Sequence, residues 1–587
     1  MVQLVEKISK AEAVKQQSRQ LRGHLARDLA DTETPFDGEG YSLLKFHGIY
    51  QGYDRDSATE LKQAGESKHY QFMVRVRIPG GRLKAAQYLA LDHIADAYAN
   101  GTLRVTTRSS IQFHGVVKSG LKAAMGEINA GLMTTLAACG DVVRTVTTVP
   151  APIRDNIHDR LEADALLLSR EMLPKSGAYQ EIWVDGAQWN DDRGNEDQGK
   201  DEAPDPLYGE RYLPRKFKIG MAVPEDNTID VLTNDLGIVA LWEGPKGDAK
   251  GDQHLVGYNF FLGGSHGATH NKPETYPRMA SAVCFVEPDD LVSAAKAVVR
   301  LHRDWGDRGN RRHARLKYVI AERGEDWARE RLSEDLGKAL EPCRPMPRFE
   351  VPDHLGWHEQ GDARLYLGLP ISSGRIVDDD RSKLRTALRE IVAQYDVDPI
   401  LMPSQDIILS EIDPKDRGAI EKTLRAYGVR FGADLAPAER WALACPALPT
   451  CGLALTEAER VSDLLIAEIV ERMARWGVER ERVSIRITGC PNGCARPYSG
   501  DVGIVGRIPG FYSIYVGGDF EGTRLNEVVA ERIRLGEVAD TLDPLFALYA
   551  ASRRDGEGFG DFCHRIGVAR LRDVLAATRA EPRAAAD

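Results

Sequence analysis

The chain has 587 residues, a net charge of −11 and 42% hydrophobic side chains. That is apolar material enough for several large cores, and too acidic a balance for nucleic acid to be the general partner. Its 8 cysteines are too few and too scattered for a secreted disulfide framework. No run of eighteen apolar residues occurs, and Met1-Val-Gln-Leu-Val-Glu-Lys lacks a cationic-then-apolar leader pattern, so a cytoplasmic protein without a membrane partner is expected.

In chain order, an N-terminal extension is expected over 1–66 and a small α+β unit over 67–149. There, Val74-Arg75-Val-Arg77-Ile-Pro-Gly-Gly-Arg82 reads as a strand, a helical stretch follows, and Gly101-Thr-Leu-Arg104-Val-Thr-Thr-Arg108-Ser-Ser-Ile-Gln112-Phe-His114 reads as a second strand. A larger α/β unit is expected over 150–346, with strands at Arg215-Lys216-Phe-Lys218-Ile, Asp235-Leu-Gly-Ile-Val239 and Tyr258-Asn-Phe-Phe-Leu-Gly-Gly264. The small pattern returns over 347–430: Leu365-Tyr-Leu-Gly-Leu-Pro-Ile-Ser-Ser-Gly374-Arg375, a helix from Leu384 to Tyr395, then Pro399-Ile-Leu-Met-Pro-Ser-Gln405, with Gln405 in the place of Gln112. The larger pattern returns over 431–587 as Ser484-Ile-Arg486-Ile, Asp501-Val-Gly-Ile-Val505 and Tyr512-Ser-Ile-Tyr-Val-Gly-Gly518. The chain therefore reads as a tandem duplication whose small units pair about a pseudo-twofold axis, with the active site between the halves.

The copies differ in their chemistry. Arg75, Arg77, Arg104 and Arg108 belong to the first small unit and have no matching cations in the second. The last unit alone carries Cys445-Pro-Ala-Leu-Pro-Thr-Cys451 and Gly489-Cys490-Pro-Asn-Gly-Cys494. Four thiolates on two loops suit a tetrahedral zinc or a cubane iron–sulfur cluster; the five residues inside the first pair favour the cluster. One half is thus expected to supply positive charge for an anion and the other a redox metal.

Over almost its whole length the chain resembles the sirohaem-dependent sulfite and nitrite reductases, and within them the haemoprotein subunits of assimilatory sulfite reduction. The resemblance rests on Phe46-His-Gly-Ile-Tyr-Gln51, Asp54-Arg-Asp56, Gln112-Phe-His-Gly115, Tyr212-Leu-Pro-Arg-Lys-Phe-Lys218 and the two cysteine motifs, in that order. It implies a pseudo-twofold, three-domain α/β (α+β) fold with two ferredoxin-like half-domains and two larger α/β domains. It also implies a [4Fe–4S] cluster on Cys445, Cys451, Cys490 and Cys494, with Cys494 bridging to the iron of a sirohaem. The implied chemistry is six-electron reduction of sulfite to sulfide in sulfate assimilation and cysteine biosynthesis, nitrite reduction to ammonia being the alternative on the same fold. A non-enzymatic iron–sulfur or zinc protein leaves the arginine-rich first half unexplained.

By the same resemblance, Arg75, Arg144, Lys216 and Lys218 surround the substrate anion. The arginines bind and polarise it and the lysines supply protons, since fixed forks suit binding while a crowded amine releases a proton more readily. Sirohaem carries eight carboxylates, for which Arg104, Arg108, Gln112, Arg215, Asn492 and Arg315 are the expected cations and donors. His114 is left out, because a histidine beside apolar residues is more often a core residue. Neither Gly263-Gly264 nor Gly503-Ile-Val-Gly506 forms a dinucleotide fingerprint. Electrons are therefore expected from a separate protein, an NADPH-dependent flavoprotein (alpha) subunit or otherwise ferredoxin. The acidic segment 190–202 is expected to be a solvated insertion, and the tail 579–587 to be disordered.

Overall fold

The computed structural model describes residues 8–31, 35–184, 202–244 and 253–580; the acidic segment up to 201 and the tail from 581 lie outside them. The chain forms two compact units, one of Met1–Ser265 with Ala280–Val429 and one of His266–Met279 with Arg430–Asp587. Among the described residues no helix is long and apolar enough to cross a membrane.

In the first unit, strand Tyr70–Arg75 buries Phe72 and Val74 and turns Gln71, Met73 and Arg75 to the other face, the two-residue period of a sheet with one buried side. Helix Ala85–Tyr98 buries Leu91, Ile94 and Ala95. What reads in the sequence as one strand from 101 to 114 is two, Leu103–Val105 and Ile111–Val116, joined by a turn closed by Thr106 N–H to Ser110 O at 2.9 Å. The sheet runs Ile49–Tyr53, Tyr70–Arg75, Ile111–Val116, Leu103–Val105, and ends on Arg375–Ile376 from the second copy.

That last strand is half of an exchange. Arg375 and Ile376 pair with Arg104 and Leu103, and at the corresponding place in the first copy Arg82 pairs with Ile400 of the second. Gly81 and Gly374 both have φ of 76°. A Cβ would lie 2.3 Å from Leu401 O at the first and 2.2 Å from Val105 O at the second, so each crossing requires glycine. The copies are also joined by buried Asp92, whose carboxylate takes Arg385 Nε at 2.6 Å and the Arg389 guanidinium. The second copy's own sheet runs Asp398–Leu401, Ile407–Ile412, Leu365–Leu369, Gly356–Glu359.

The larger patterns repeat in topology as they do in sequence. Ile219–Ala222 pairs in parallel with Leu236–Glu243, which pairs antiparallel with His254–Leu262. In the second unit Ile485–Thr488 pairs in parallel with Val502–Ile508, which pairs antiparallel with Phe511–Val516. In each, an aspartate at the start of the middle strand holds the neighbouring strand's backbone: Asp235 Oδ2 accepts from Lys218 N–H (2.9 Å) and Asp501 Oδ2 from Ser484 N–H (2.8 Å).

Two buried histidines set an acid limit on the fold. Trp183 Nε1 donates to His47 Nδ1 at 2.9 Å, which leaves Nε2–H to donate to Leu21 O at 3.0 Å, a pairing only the neutral ring can make. Burial pushes His47 down to about 4 from 6.5, against the Leu21 hydrogen bond, and burial does the same to His302. Between those values the unfolded chain binds protons that the folded chain refuses. Stability is therefore whole above pH 6.5 and lost as pH falls towards 4, by about 3 kcal/mol per histidine. Urea unfolding across this range measures it; His47→Gln is expected to flatten the slope by about one proton, and an unchanged slope in that variant argues against a neutral His47.

Candidate functional site

The segment 215–218, expected as part of a strand, instead leads into strand Ile219–Ala222 with Phe217 making a single bridge, and residues 142–147 position it. Phe217 pairs in parallel with Val143; Arg144 N–H donates to Phe217 O at 2.8 Å and Phe217 N–H to Val142 O at 3.0 Å. Paired residues project to one face, and Val143 and Phe217 are both fully buried. Arg144, Lys216 and Lys218 are thereby turned together to the opposite face. Arg108 straps this ladder, donating through Nη2 to Thr145 O (2.5 Å) and Ile219 O (2.9 Å) and through Nη1 to Asn234 Oδ1 (2.8 Å). Arg315 grips Asp235 with Nε at 3.0 Å and Nη2 at 2.8 Å, bracing the carboxylate that holds Lys218 N–H.

A second basic array lies across the sheet of the first copy. Arg75 pairs with Gln112, Gln112 with Arg104, and Arg104 with Arg375, so four strands place these side chains in one row on one face. Turned with its oxygen to the guanidinium, the Gln112 amide accepts from Arg75 Nε at 3.2 Å. Arg75 Nη1 also lies 2.8 Å from Cys139 Sγ, and its guanidinium 6.0 Å from the Tyr50 ring. Tyr50 also acts electrostatically on Arg144, whose guanidinium donates to Gly140 O at 2.8 Å and Ala138 O at 3.3 Å, so one tyrosine stands near both the row and the ladder. Arg77, two residues on, faces the other way; it is buried on Ser169 Oγ and O and on the carbonyls of Ala137 and Val143, and serves the core.

Arg215 is oriented by Asp141. This buried carboxylate receives Arg311 Nη1 at 2.8 Å and Nη2 at 3.1 Å, with Lys15 Nζ at 3.6 Å and Arg215 Nη1 at 3.7 Å. Burial alone would raise its pKa, yet Arg311, Lys15 and Arg215 hold it well below the usual carboxylate range. Lys45 stands beside the same cluster with its amine 3.6 Å from the Tyr41 ring. Burial, then Arg311, lowers it to about 8. Lys45, Tyr50, Cys139, Asp141 and Arg375 were not among the expected site residues. Lys45 and Tyr50 border or lie in the Phe46–Gln51 motif and Asp141 precedes Arg144 by three, so proximity to a motif was the available signal.

In the second unit both cysteine motifs leave the carboxyl ends of neighbouring parallel strands, where open α/β sheets place ligands. Leu443–Ala444 pairs with Ile485–Thr488; Cys445 follows the first strand and Gly489-Cys490 the second. Gly489 N–H donates to Cys445 Sγ at 3.3 Å, and Leu455 and Thr456 N–H to Gly489 O at 2.8 and 3.1 Å. A Cβ at Gly489 would meet Thr456 O at 2.6 Å and the Ala447 Cβ at 2.7 Å, so the loops close on each other only around glycine. Asn492 Nδ2 lies 3.4 Å from Cys494 Sγ. Cys445 is buried, Cys451 and Cys490 half-buried and Cys494 exposed.

Burial first, then the charge of Cys494, push the Cys445 thiol above its ordinary range; Gly489 N–H opposes this, and Cys490 and Cys451 add to it. Three thiols gathered about Cys445, raising its cost of ionisation, make a donor set that a polynuclear cation relieves, so the residues fit a [4Fe–4S] cluster. Among the described residues no three His, Cys, Asp or Glu side chains are grouped around a point for a single ion; a cubane asks instead for one thiolate per iron. The basic row and the Arg108 and Arg215 cations likewise fit a polycarboxylate tetrapyrrole.

A four-thiol loop pair in one unit and two converging arrays of cations in the other define an iron–sulfur oxidoreductase acting on a small anion. The comparisons agree. Residues 164–340 and 440–582 match the nitrite and sulphite reductase 4Fe-4S domain, the two stretches being the duplicated larger units, and 63–131 match the nitrite/sulfite reductase ferredoxin-like half domain. The chain is 43% identical over 577 residues to the "Sulfite reductase [ferredoxin]" of Synechococcus elongatus, covering 97% of this chain and 91% of that one. It is 43% identical over 563 residues to the "Sulfite reductase [NADPH] hemoprotein beta-component" of Myxococcus xanthus, covering 95% and 97%. The chain belongs to the nitrite and sulphite reductase family. The solved structure of the Mycobacterium tuberculosis NirA protein shares its fold, with a TM-score of 0.75 at 21% identity, covering 97% of this chain and 98% of that one.

Proposed function

We propose that this chain reduces sulfite to sulfide with six electrons, using sirohaem and a [4Fe–4S] cluster, and that it receives those electrons from a separate protein. The observation that carries the reading is the ladder that sets Arg144, Lys216 and Lys218 on one face, with Tyr50 near both Arg144 and Arg75. Sulfite brings two negative charges and loses three oxygens as water, so its site must neutralise charge and deliver protons. Arg75 and Arg144 hold and polarise the anion; Lys216 and Lys218 donate protons to the departing oxygens. Arg104, Arg108, Gln112 and Arg215 hold carboxylates of the sirohaem, Asn492 supports the Cys494 loop, and Arg315 keeps the Lys218 backbone in place through Asp235. Cys445, Cys451, Cys490 and Cys494 would hold the cluster, and Cys494 would be the residue coupling it to the sirohaem. When bound, the cofactors would supply electrons one at a time and an iron for the substrate sulfur; charge and protons would be the work of the side chains.

Relatives of almost equal identity carry the names of ferredoxin and NADPH enzymes. No glycine fingerprint for a pyrophosphate follows a strand in this sequence, so a flavoprotein subunit is the proposed donor and ferredoxin its alternative. Anaerobic mixing of the cofactor-loaded chain with NADPH alone is expected to leave the haem and cluster bands oxidised. A diflavin reductase with NADPH is expected to reduce them and drive sulfide production. Reduction by NADPH alone on a catalytic timescale would refute the need for a carrier, and a loaded chain that turned over nitrite but not sulfite with a viologen donor would refute the substrate.

A further inference from the structure

We infer that Arg375, delivered by the second copy of the duplicated fold, is a cofactor-binding residue that contacts a carboxylate of the sirohaem alongside Arg104. The inference rests on the proposed sirohaem site and extends it across the pseudo-twofold axis. Its basis is register. Arg375 is paired directly with Arg104 and stands at the end of the row Arg75, Gln112, Arg104. Like charges directly opposite on neighbouring strands destabilise a sheet, and an anion shared between them reverses the sign.

The loop that delivers Arg375 is built for this approach. Gly374 has φ of 76° and a Cβ there would sit 2.2 Å from Val105 O, so the crossing cannot tolerate a side chain. Arg375 Nη1 donates to Thr102 Oγ1 at 3.0 Å and to His114 Nδ1 at 3.1 Å, which fixes the guanidinium on the face of the row. The His114 ring must accept there and so stays neutral; burial, then Arg375, Arg104 and Arg75 in that order, keep it so. The charge of all three arginines thus converges on one place.

The other copy gives an internal comparison. Arg82 occupies the equivalent place after Gly81, but it donates to Pro150 O at 3.1 Å and Ala151 O at 3.3 Å and pairs with Glu162 at 3.2 Å. One position of the duplicated loop has been drawn into chain-to-chain bonds and a carboxylate pair, while the other faces a row of cations. Sirohaem, with eight carboxylates, is the anion this protein's family provides for such a row.

The test is sirohaem retention by the full-length chain, read as sirohaem per chain after purification and as its rate of loss on dialysis, with cluster iron and thermal unfolding measured in parallel. Arg375→Ala is expected to lose sirohaem about tenfold faster or more, the effect of removing a charge-assisted hydrogen bond, with cluster iron unchanged. Arg104→Ala should do the same, and Arg82→Gln should retain sirohaem like the parent. If Arg375→Ala melts early, Arg375→Gln decides, because its amide still donates to Thr102 while the charge is gone; faster loss supports the inference. Parental retention in Arg375→Gln or a well-folded Arg375→Ala, with Arg104→Ala impaired, overturns it and leaves the sirohaem site standing. Parental retention in Arg104→Ala as well overturns the placement of sirohaem on this row, and the inference with it.

Discussion

Serine at Cys445, Cys451 or Cys490 is expected to strip the cluster from the chain, and serine at Cys494 to uncouple it from the haem. Sulfite turnover then falls by more than about a hundredfold, beyond what loss of an outer partner costs a metal site. The cause is local: in the proposed site each thiolate is the ligand of one iron, and Cys445 lies buried, under Gly489 N–H, where water cannot take its place. Iron and acid-labile sulfide per chain, the coupled haem–cluster spectrum and viologen-driven turnover measure the result. A Cys494→Ser protein with parental spectra and rate would remove that residue from the bridge, whereas retention of the cluster in the other three variants would remove the cluster from this site.

Lys216→Met and Lys218→Met are expected to retain both cofactors and lose sulfite turnover by about tenfold or more, the lower range for a displaced acid or electrostatic stabiliser. Methionine keeps the unbranched stem, so the Val143–Phe217 pairing behind the ladder is left intact. Arg144→Ala removes a buried fork and is expected to raise the half-saturating sulfite concentration more than it lowers the maximal rate. Steady-state kinetics with cofactor content as the control separate the two patterns. Parental rate and half-saturation in all three variants would place the anion elsewhere.

Much of this was legible in the sequence because it is local. The cysteine pairs stand in Pro/Gly loops at fixed spacing, the strands show a two-residue period, and the duplicated runs preserve even the aspartates at 235 and 501, which make the same backbone bond in both copies. Lys216-Phe-Lys218 announced its shared face by alternation alone.

Other features came only from long-range pairing. Nothing near Arg375 indicates that it ends a sheet begun at Ile49, since its partners Thr102 and His114 are 273 and 261 residues away. Arg77 reads like Arg75, but a shift of two residues beyond the end of its strand commits it to the core. Arg315 reads as a free cation until the fold brings Asp235 to it.

The sequence by itself thus determined the chemistry available to this protein, four thiols and a set of cations, and the repeat that carries them, because residue type and short spacing depend on neighbours along the chain. Tertiary structure decided which cations stand together and which are spent on carboxylates or core carbonyls, because a guanidinium's partner is whatever the fold places within about 3 Å of it, and that distance is set by strands far apart in the chain.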